Sequence, residues 1–142
     1  MYNDRHTFLM KLMFRPKNKV GIIGEETAAA FLMKHGFKVL NRNYWKKWGE
    51  IDIVAKKDSK LRFIEVKTVS CENLSRVLAG GNGFKPEDNI HPWKLKKMSR
   101  TIESYLVENG VTKDEWQIDT VAVFIEERSR QAKIRMIENI VF

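Results

Sequence analysis

Two short sequence runs carry acidic and basic residues at the period-two spacing of β-strands. The run at 50–55 contains Asp52, and the run at 61–68 contains Glu65 and Lys67 on one face. If the two runs pair as neighbouring strands, Asp52 and Glu65 converge near one end of a sheet, with Lys67 on the side of Glu65. These three residues are therefore candidates for chemistry.

Two carboxylates beside a lysine fit the hydrolysis of phosphodiester bonds. Mg²⁺ is usually held by one or two carboxylates, with water and phosphate oxygens completing its coordination. The ammonium of Lys67 could orient the attacking water or stabilise the charge that develops on the phosphate. The alternative is a simple ion pair between Glu65 and Lys67 on a solvated face. Both strands are rich in Ile, Val and Phe, as central strands are, where polar residues are costly.

A third carboxylate lies in the first predicted helix, at 21–35. The apolar residues of this helix recur at helical spacing: Ile22, Ala28, Ala29, Phe31, Leu32 and Met33. A helical wheel places Glu25 at the centre of that apolar face, where a carboxylate needs a positive partner. A metal ion, Lys67 or the amides at the helix N-terminus could each provide it. A cap or a buried ion pair explains Glu25 as well as a catalytic role does.

The elements that would position these residues have the order α-β-β-β-α-β-β. Strands are expected at 37–44, 50–56, 61–68, 116–126 and 132–137, and helices at 21–35 and 92–109. The second and third strands should form a hairpin, with Ile51, Ile53 and Ala55 sharing the face opposite Asp52. The glycine-rich stretch at 69–90 is expected to be a long connection. A helical crossover normally joins parallel strands, so we predict an α/β fold with one mixed sheet flanked by helices.

Composition limits the possible classes of protein. The chain has 142 residues, enough for one domain, and 43% of them are hydrophobic, which excludes a wholly disordered basic protein. A net charge of +8 is typical of a domain that binds nucleic acid, an anionic membrane surface or an acidic protein, or of one in which the charge only provides solubility. The single cysteine, Cys71, excludes an intramolecular disulfide and a cysteine-based zinc site.

The first 20 residues differ from the rest of the chain. They carry five basic residues against one acidic residue, together with a short apolar run that Lys11 interrupts. The run is too short for a signal-peptide core or a membrane-spanning helix. We therefore predict a cytoplasmic protein without a membrane segment. Residues 1–20 would form a basic, partly apolar arm that docks on the domain or contacts a partner, and residues 21–142 a single domain.

Three motifs, in order and at similar spacing, resemble those of the YraN-like family, an uncharacterised family placed in the restriction-endonuclease-like superfamily. The matching residues are Gly24-Glu25-Glu26-Thr27-Ala28, Gly49-Glu50-Ile51-Asp52-Ile53-Val54 and Phe63-Ile64-Glu65-Val66-Lys67. The similarity continues through Ile118-Asp119-Thr120-Val121-Ala122-Val123 and covers about residues 21–142. Only the arm lies outside it.

The resemblance implies a restriction-endonuclease-like core of the PD-(D/E)XK type, similar to the archaeal Holliday-junction resolvases. In that pattern Asp52 and Glu65 are the ligands of Mg²⁺ or Mn²⁺, and Lys67 is the catalytic lysine. Glu25 matches a helical glutamate of several such nucleases. The sequence departs from many members after Lys67, where Thr68 and Val69 stand in place of a further basic residue.

Three basic residues of the second helix are predicted to contact nucleic acid. Lys94 matches a lysine of the family, and a helical wheel places it beside the apolar stripe, although an exposed lysine that only aids solubility explains it as well. Lys97 and Arg100 belong to the same basic cluster. Three tryptophans, at 45, 48 and 93, could stack on unpaired bases or cover the core.

We expect a metal-dependent endonuclease acting on DNA, with branched or single-stranded structures as candidate substrates. The alternative is a non-catalytic nucleic-acid-binding module of a DNA-processing assembly. A third interpretation is a protein whose arm and second helix bind an acidic protein or a membrane surface. The sequence leaves the choice between a monomer and a homodimer open.

Overall fold

The computed structural model describes residues 3–11, 20–75, 92–112 and 115–140, the first of these ranges through its backbone alone. The helices are α1, Val20–Lys34, and α2, Pro92–Glu108; the strands are β1, Asn3–Lys11; β2, Lys38–Lys46; β3, Gly49–Lys57; β4, Lys60–Ser70; β5, Trp116–Glu126; and β6, Gln131–Ile137. Apart from β1, these elements follow the predicted order, with bounds that differ by one or two residues. The end of β4 at Ser70 shows that the predicted connection starts too early, and its residues 76–90 lie outside the described ranges.

The strands form one six-stranded sheet in the order β1-β6-β5-β4-β3-β2. Strands β4 and β5, which flank α2 in the chain, are parallel, and every other neighbouring pair is antiparallel. The predicted α/β class with a mixed sheet is therefore confirmed. The sequence did not predict β1, which forms one edge of the sheet, pairs with β6 and puts Leu9 opposite Lys133. At residues 3–11 the arm thus docks on the domain, while the domain boundary at residue 20 stays a prediction.

The hairpin of β3 and β4 is tight, as predicted. Lys57 pairs with Lys60, and the two residues between them, Asp58 and Ser59, have φ values of 52° and 63°. Positive φ at both central positions matches the twist of the flanking strands, which is why such turns are common in hairpins. The turn sets the register that brings Asp52 and Glu65 to the far end of the hairpin.

Helix α1 covers one face of the sheet and buries Ala28, Phe31 and Leu32 against apolar residues of β3 to β6. Gly24 lies at its closest approach to β4, because a Cβ atom there would come within 1.8 Å of Thr68 Oγ1. The prediction that Ile22 and Met33 belong to the buried face is wrong: both are exposed. Their positions on the helix lie beyond the arc that faces the sheet.

Helix α2 covers the other face of the sheet. Its residues Leu95, Met98 and Ile102 pack on a cluster that includes Ile51 and Phe63. The prediction that Ile51 shares a face with Ile53 is therefore wrong, since Ile53 belongs to the cluster beneath α1. The regular pairing of β3 with β4 ends at Ile53 opposite Ile64, and the strict alternation of faces ends with it. The break in alternation lies next to Asp52.

Candidate metal site and its flanking groove

Asp52 of β3 and Glu65 of β4 line one cleft at the end of the hairpin, beneath the start of α2. The cleft has a volume of about 230 Å³ and is also lined by Trp93 and Lys94. Beyond the last regular pair of the hairpin, the Val66 amide donates a hydrogen bond to Asp52 Oδ2 at 2.8 Å. The strands thus separate enough for the Asp52 side chain to take the place of a backbone acceptor. The structure brings together the two carboxylates that the sequence predicted as metal ligands.

The charge of Asp52 is poorly compensated. Burial, followed by the nearby Glu65 carboxylate, raises the pKa of Asp52 from 3.8 to about 8, and Glu25 and Glu50 act in the same direction. The Val66 amide is the group that lowers it. Among the described residues, no ion pair neutralises Asp52. A half-buried carboxylate without a cationic partner is stabilised in its charged form by any cation that enters the cleft.

Glu65 has a cationic partner, Lys94 of α2, whose Nζ pairs with Glu65 Oε1. The Glu65 side chain is 13% exposed and that of Lys94 is 37% exposed, so the lysine can leave the pair without losing its contact with water. Lys94 is thus held by a candidate metal ligand. Its predicted contact with nucleic acid stays a prediction.

Lys67 follows Glu65 by two positions in β4, opposite Ala122 of β5. Its side chain is exposed, and within the described part of the chain it forms no ion pair. The alternative interpretation of Glu65 and Lys67 as a cross-strand ion pair is wrong, because Glu65 pairs with Lys94. The ammonium of Lys67 is available for an incoming anion.

Glu25 lies near the same end of the sheet. Burial, Glu50 and Glu65 raise the pKa of Glu25, and Arg42 of β2 lowers it. The described cation that lowers this pKa is Arg42, which the sequence did not predict, and among the described residues neither Lys67 nor a helix-cap hydrogen bond contributes to the shift. Glu25 lies close enough to Asp52 to raise its pKa. The catalytic role of Glu25 stays a prediction.

The cleft fits a hard divalent cation. Asp52 and Glu65 supply the two carboxylates that Mg²⁺ commonly takes from a protein, and the remaining ligands are normally water and substrate oxygens. In the described ranges, no three His, Cys, Asp or Glu side chains come together as a metal site. Glu25 is therefore not part of a three-carboxylate cage, and the fit rests on the uncompensated Asp52 beside Glu65.

A second, larger depression of about 660 Å³ adjoins the cleft, and four residues line both: Gly49, Glu50, Trp93 and Lys97. We call it the tryptophan groove. Its walls carry three tryptophans, Trp45, Trp48 and Trp93, and five basic residues, Lys46, Lys47, Lys96, Lys97 and Arg100. Lys97 Nζ lies 4.8 Å from the centre of the Trp93 ring, and Arg100 Cζ lies 4.5 Å from that of Trp48. Two of the predicted nucleic-acid contacts thus lie beside aromatic rings next to the cleft.

A comparison with known proteins identifies the family of this chain. The model of Uncharacterised protein family UPF0102 matches residues 24–123, which include the three motifs and α2. The chain belongs to the UPF0102 family. A UPF0102 protein of Campylobacter jejuni is 39% identical over 122 residues, which cover 86% of this chain and 93% of the relative. One from Helicobacter pylori is 35% identical over 133 residues, covering 94% and 100%. One from Chlorobium phaeobacteroides is 35% identical over 112 residues, covering 79% and 81%.

UPF0102 membership confirms the resemblance at the level of an uncharacterised family. The restriction-endonuclease-like superfamily, the likeness to resolvases, the metal and the DNA partner stay predictions, as do the homodimer and the cytoplasmic location. No helix of this UPF0102 protein, within the ranges the structure describes, is both long and apolar enough to cross a membrane.

Sequence reasoning missed one buried polar cluster of this UPF0102 protein. The Asp119 carboxylate of β5 accepts hydrogen bonds from Arg62 Nη1 at 3.1 Å, Gln117 Nε2 at 2.7 Å and the Asn139 amide at 2.8 Å. Burial raises the pKa of Asp119, against the lowering effect of all three donors. The sequence contained one indication of this cluster. The alternation of β4 puts Arg62 on the same face as the buried Ile64, and a cation on a buried face requires an acidic partner.

Proposed function

We propose that this protein is a metal-dependent endonuclease that hydrolyses phosphodiester bonds in DNA, with a restriction-endonuclease-like site of the PD-(D/E)XK type. The observation that carries the proposal is the half-buried Asp52, which lies beside Glu65 near further carboxylates and has a raised pKa. Such a side chain costs the fold stability, and active sites are where that cost is commonly retained. The order of Asp52, Glu65 and Lys67 on two neighbouring strands supports the same class of nuclease.

The roles of the residues follow from their positions. Asp52 and Glu65 would hold Mg²⁺ or Mn²⁺, which when bound supplies Lewis-acid polarisation of the phosphate. Lys67 would present its exposed ammonium to a phosphate oxygen and stabilise the negative charge that grows as the bond breaks. Glu25 would accept a hydrogen bond from the attacking water and fix its direction.

Lys94 would act as a counter-ion for Glu65 that a metal can replace. Its ion pair with Glu65 keeps one of the two ligands neutralised before metal binds. With a divalent cation held by Asp52 and Glu65, the Lys94 ammonium would be free to contact the DNA backbone. Because the Lys94 side chain is 37% exposed, we expect its pair with Glu65 to contribute about 1 kcal/mol or less, so the exchange has a low cost.

The test is cleavage of labelled single-stranded, flapped and four-way-junction DNA by the full chain with Mg²⁺, with Mn²⁺ and with EDTA. We expect cleavage with metal, none with EDTA, and a loss of more than about 10²-fold in Asp52→Asn and in Lys67→Met. Matched controls are Asp58→Asn, at the exposed turn of the same hairpin, and Lys38→Met, at the exposed start of β2. Cleavage at the wild-type rate by both site variants would contradict the proposal.

The pairing of Lys94 with Glu65 also favours a second candidate, a nucleic-acid-binding module without cleavage. In this case the ion pair is a permanent structural feature and the cleft takes no metal. Mn²⁺ would then leave the melting temperature unchanged, and DNA would bind tightly without being cut in any divalent metal. The thermal shift alone separates the two candidates, because the nuclease requires metal to bind the folded state.

A further inference from the structure

The tryptophan groove presents two indole rings to solvent next to a candidate catalytic cleft. Trp45 is 66% exposed and Trp93 is 59% exposed. Large aromatic side chains stabilise a fold most when they are buried, so these two rings contribute less to the stability of the fold than buried rings would. Trp93 also lines the cleft that holds Asp52 and Glu65. One of the two exposed rings, Trp93, thus lies in the wall of the carboxylate cleft, and the other lies in the adjoining groove.

The basic residues of the groove are arranged around these rings. Lys97 lies over Trp93, and Arg100 packs on Trp48, which is half-buried. The Trp48 Nε1 atom is buried and has no hydrogen-bond partner among the described residues. Of the five groove cations, Lys46 is paired with Glu108, whereas Lys47 and Lys96 are exposed and form no ion pair within the described ranges. Flat apolar faces thus alternate with free positive charge.

This combination selects one ligand chemistry. Aromatic platforms between cations bind single-stranded nucleic acid, because unpaired bases stack on the rings while the phosphates meet the cations. A duplex offers the same phosphates but keeps its base faces stacked inside. An acidic polypeptide offers negative charge but no regular array of planar faces. Of these three ligands, single-stranded nucleic acid is the one whose bases can stack on the exposed rings of Trp45 and Trp93.

We propose that the tryptophan groove is a binding site for unpaired nucleotides that stacks bases on Trp45 and Trp93 and directs the attached backbone into the Asp52 cleft. This inference rests on the proposed function for its consequence in cleavage. It makes the preferred substrate a nucleic acid with a single-stranded segment, such as a tail, a flap or a splayed arm. Binding itself requires neither metal nor cleavage.

The experiment is a fluorescence-anisotropy titration of the full chain in EDTA with a labelled oligothymidylate and with a blunt duplex of equal length. We expect the single strand to bind at least tenfold more tightly at the same salt concentration. Trp45→Ala and Trp93→Ala should each weaken that binding by roughly 5- to 150-fold, the range expected for the loss of one stacked base. Trp116→Phe, which changes a tryptophan outside the groove and keeps a ring beside Phe63, should bind like the wild type.

Three results would overturn the inference: equal affinity for the duplex, wild-type affinity in both groove variants, or displacement of the oligonucleotide by polyglutamate at equal charge concentration. The use of EDTA separates this inference from the proposed function. If the groove variants bind normally while metal-dependent cleavage persists, the groove assignment fails and the nuclease stands. If stacking is observed and no metal supports cleavage, the binding site stands and the nuclease fails.

Discussion

Asp52 is half-buried and Asp119 is fully buried in the same sheet, and the surroundings of the two carboxylates are opposite. Asp119 is fully buried and lies against the guanidinium of Arg62, which is itself 11% exposed. Asp52 receives one hydrogen bond, from the Val66 amide, and faces the carboxylate of Glu65. Asp119 has its cationic partner within the protein, whereas among the described residues no cation pairs with Asp52.

The difference separates a structural carboxylate from a functional one. A buried charge with its partner and hydrogen bonds in place holds β4, β5 and the segment after β6 in a fixed arrangement. A buried charge without a partner raises the energy of the fold, so it indicates a ligand that is supplied from outside. Variants of the two aspartates should therefore change stability in opposite directions.

The largest expected effect is the loss of Asp119. Asp119→Asn removes the charge opposite Arg62, and we expect the free energy of unfolding to fall by about 3–5 kcal/mol, the usual cost of breaking a buried pair from one side. Urea denaturation followed by circular dichroism measures it. The control is Glu138→Gln, because Glu138 is the more exposed partner of Arg62 and should cost less. Equal stability of Asp119→Asn and wild type would contradict the structural role of Asp119 and, with it, the contrast with Asp52.

A smaller loss is expected where α1 contacts the strand of the candidate site. Gly24→Ala places a methyl group on Thr68 Oγ1, and overpacking of this kind costs about 1–3 kcal/mol. The double variant Gly24→Ala, Thr68→Ala should recover part of the loss, since it removes the atoms closest to the new Cβ. Because Glu25 follows Gly24, the single variant should also reduce the shift in melting temperature that Mn²⁺ produces. A melting-temperature shift with Mn²⁺ equal to that of the wild type would show that metal binding in the cleft does not depend on the position of α1.

Asp52→Asn should stabilise the metal-free protein, by about 0.5–2 kcal/mol, in contrast to Asp119→Asn. Burial and Glu65 raise the pKa of Asp52 from 3.8 to about 8. The folded state therefore holds this proton more tightly than the unfolded state does, and the stability that the group provides in acid is lost as the pH rises toward 8. The gain from asparagine should be larger at pH 8 than at pH 5, measured by urea denaturation in EDTA. A variant less stable than wild type at pH 8 would assign Asp52 a structural role.

Much of the fold that positions Asp52 could be predicted from the sequence, because it depends on local patterns. Alternation in the strand runs and turn residues at Asp58 and Ser59 define the hairpin, and the hairpin alone brings Asp52 toward Glu65. Helical periodicity places α1 and α2 on the sheet. The strand β1 was not predicted, since its short apolar run resembles neither a clear strand nor a clear helix.

The missing parts depend on contacts between distant segments. The partner of Glu65 is Lys94, which reaches it only because the start of α2 packs over this end of the sheet, and the partner of Arg62 is Asp119, 57 positions along the chain. The alternation of β3 breaks beside Asp52, so Ile51 turns toward α2 instead of α1. Period-two reasoning has no way to predict where neighbouring strands separate.

The smallest expected effect comes from Lys94, and it bears on the comparison most directly. If the pair of Lys94 with Glu65 were structural, like that of Arg62 with Asp119, Lys94→Met would cost several kcal/mol. Because Lys94 is 37% exposed, we expect a change below about 1 kcal/mol in the free energy of unfolding. Removing its charge should instead tighten Mn²⁺ binding a few-fold, measured by isothermal titration calorimetry, since no ammonium then competes for Glu65. Lys96→Met, an exposed neighbour outside the cleft, serves as the matched control. Weaker Mn²⁺ binding in Lys94→Met than in this control would mean that Lys94 helps to shape the site and does not compete with the metal.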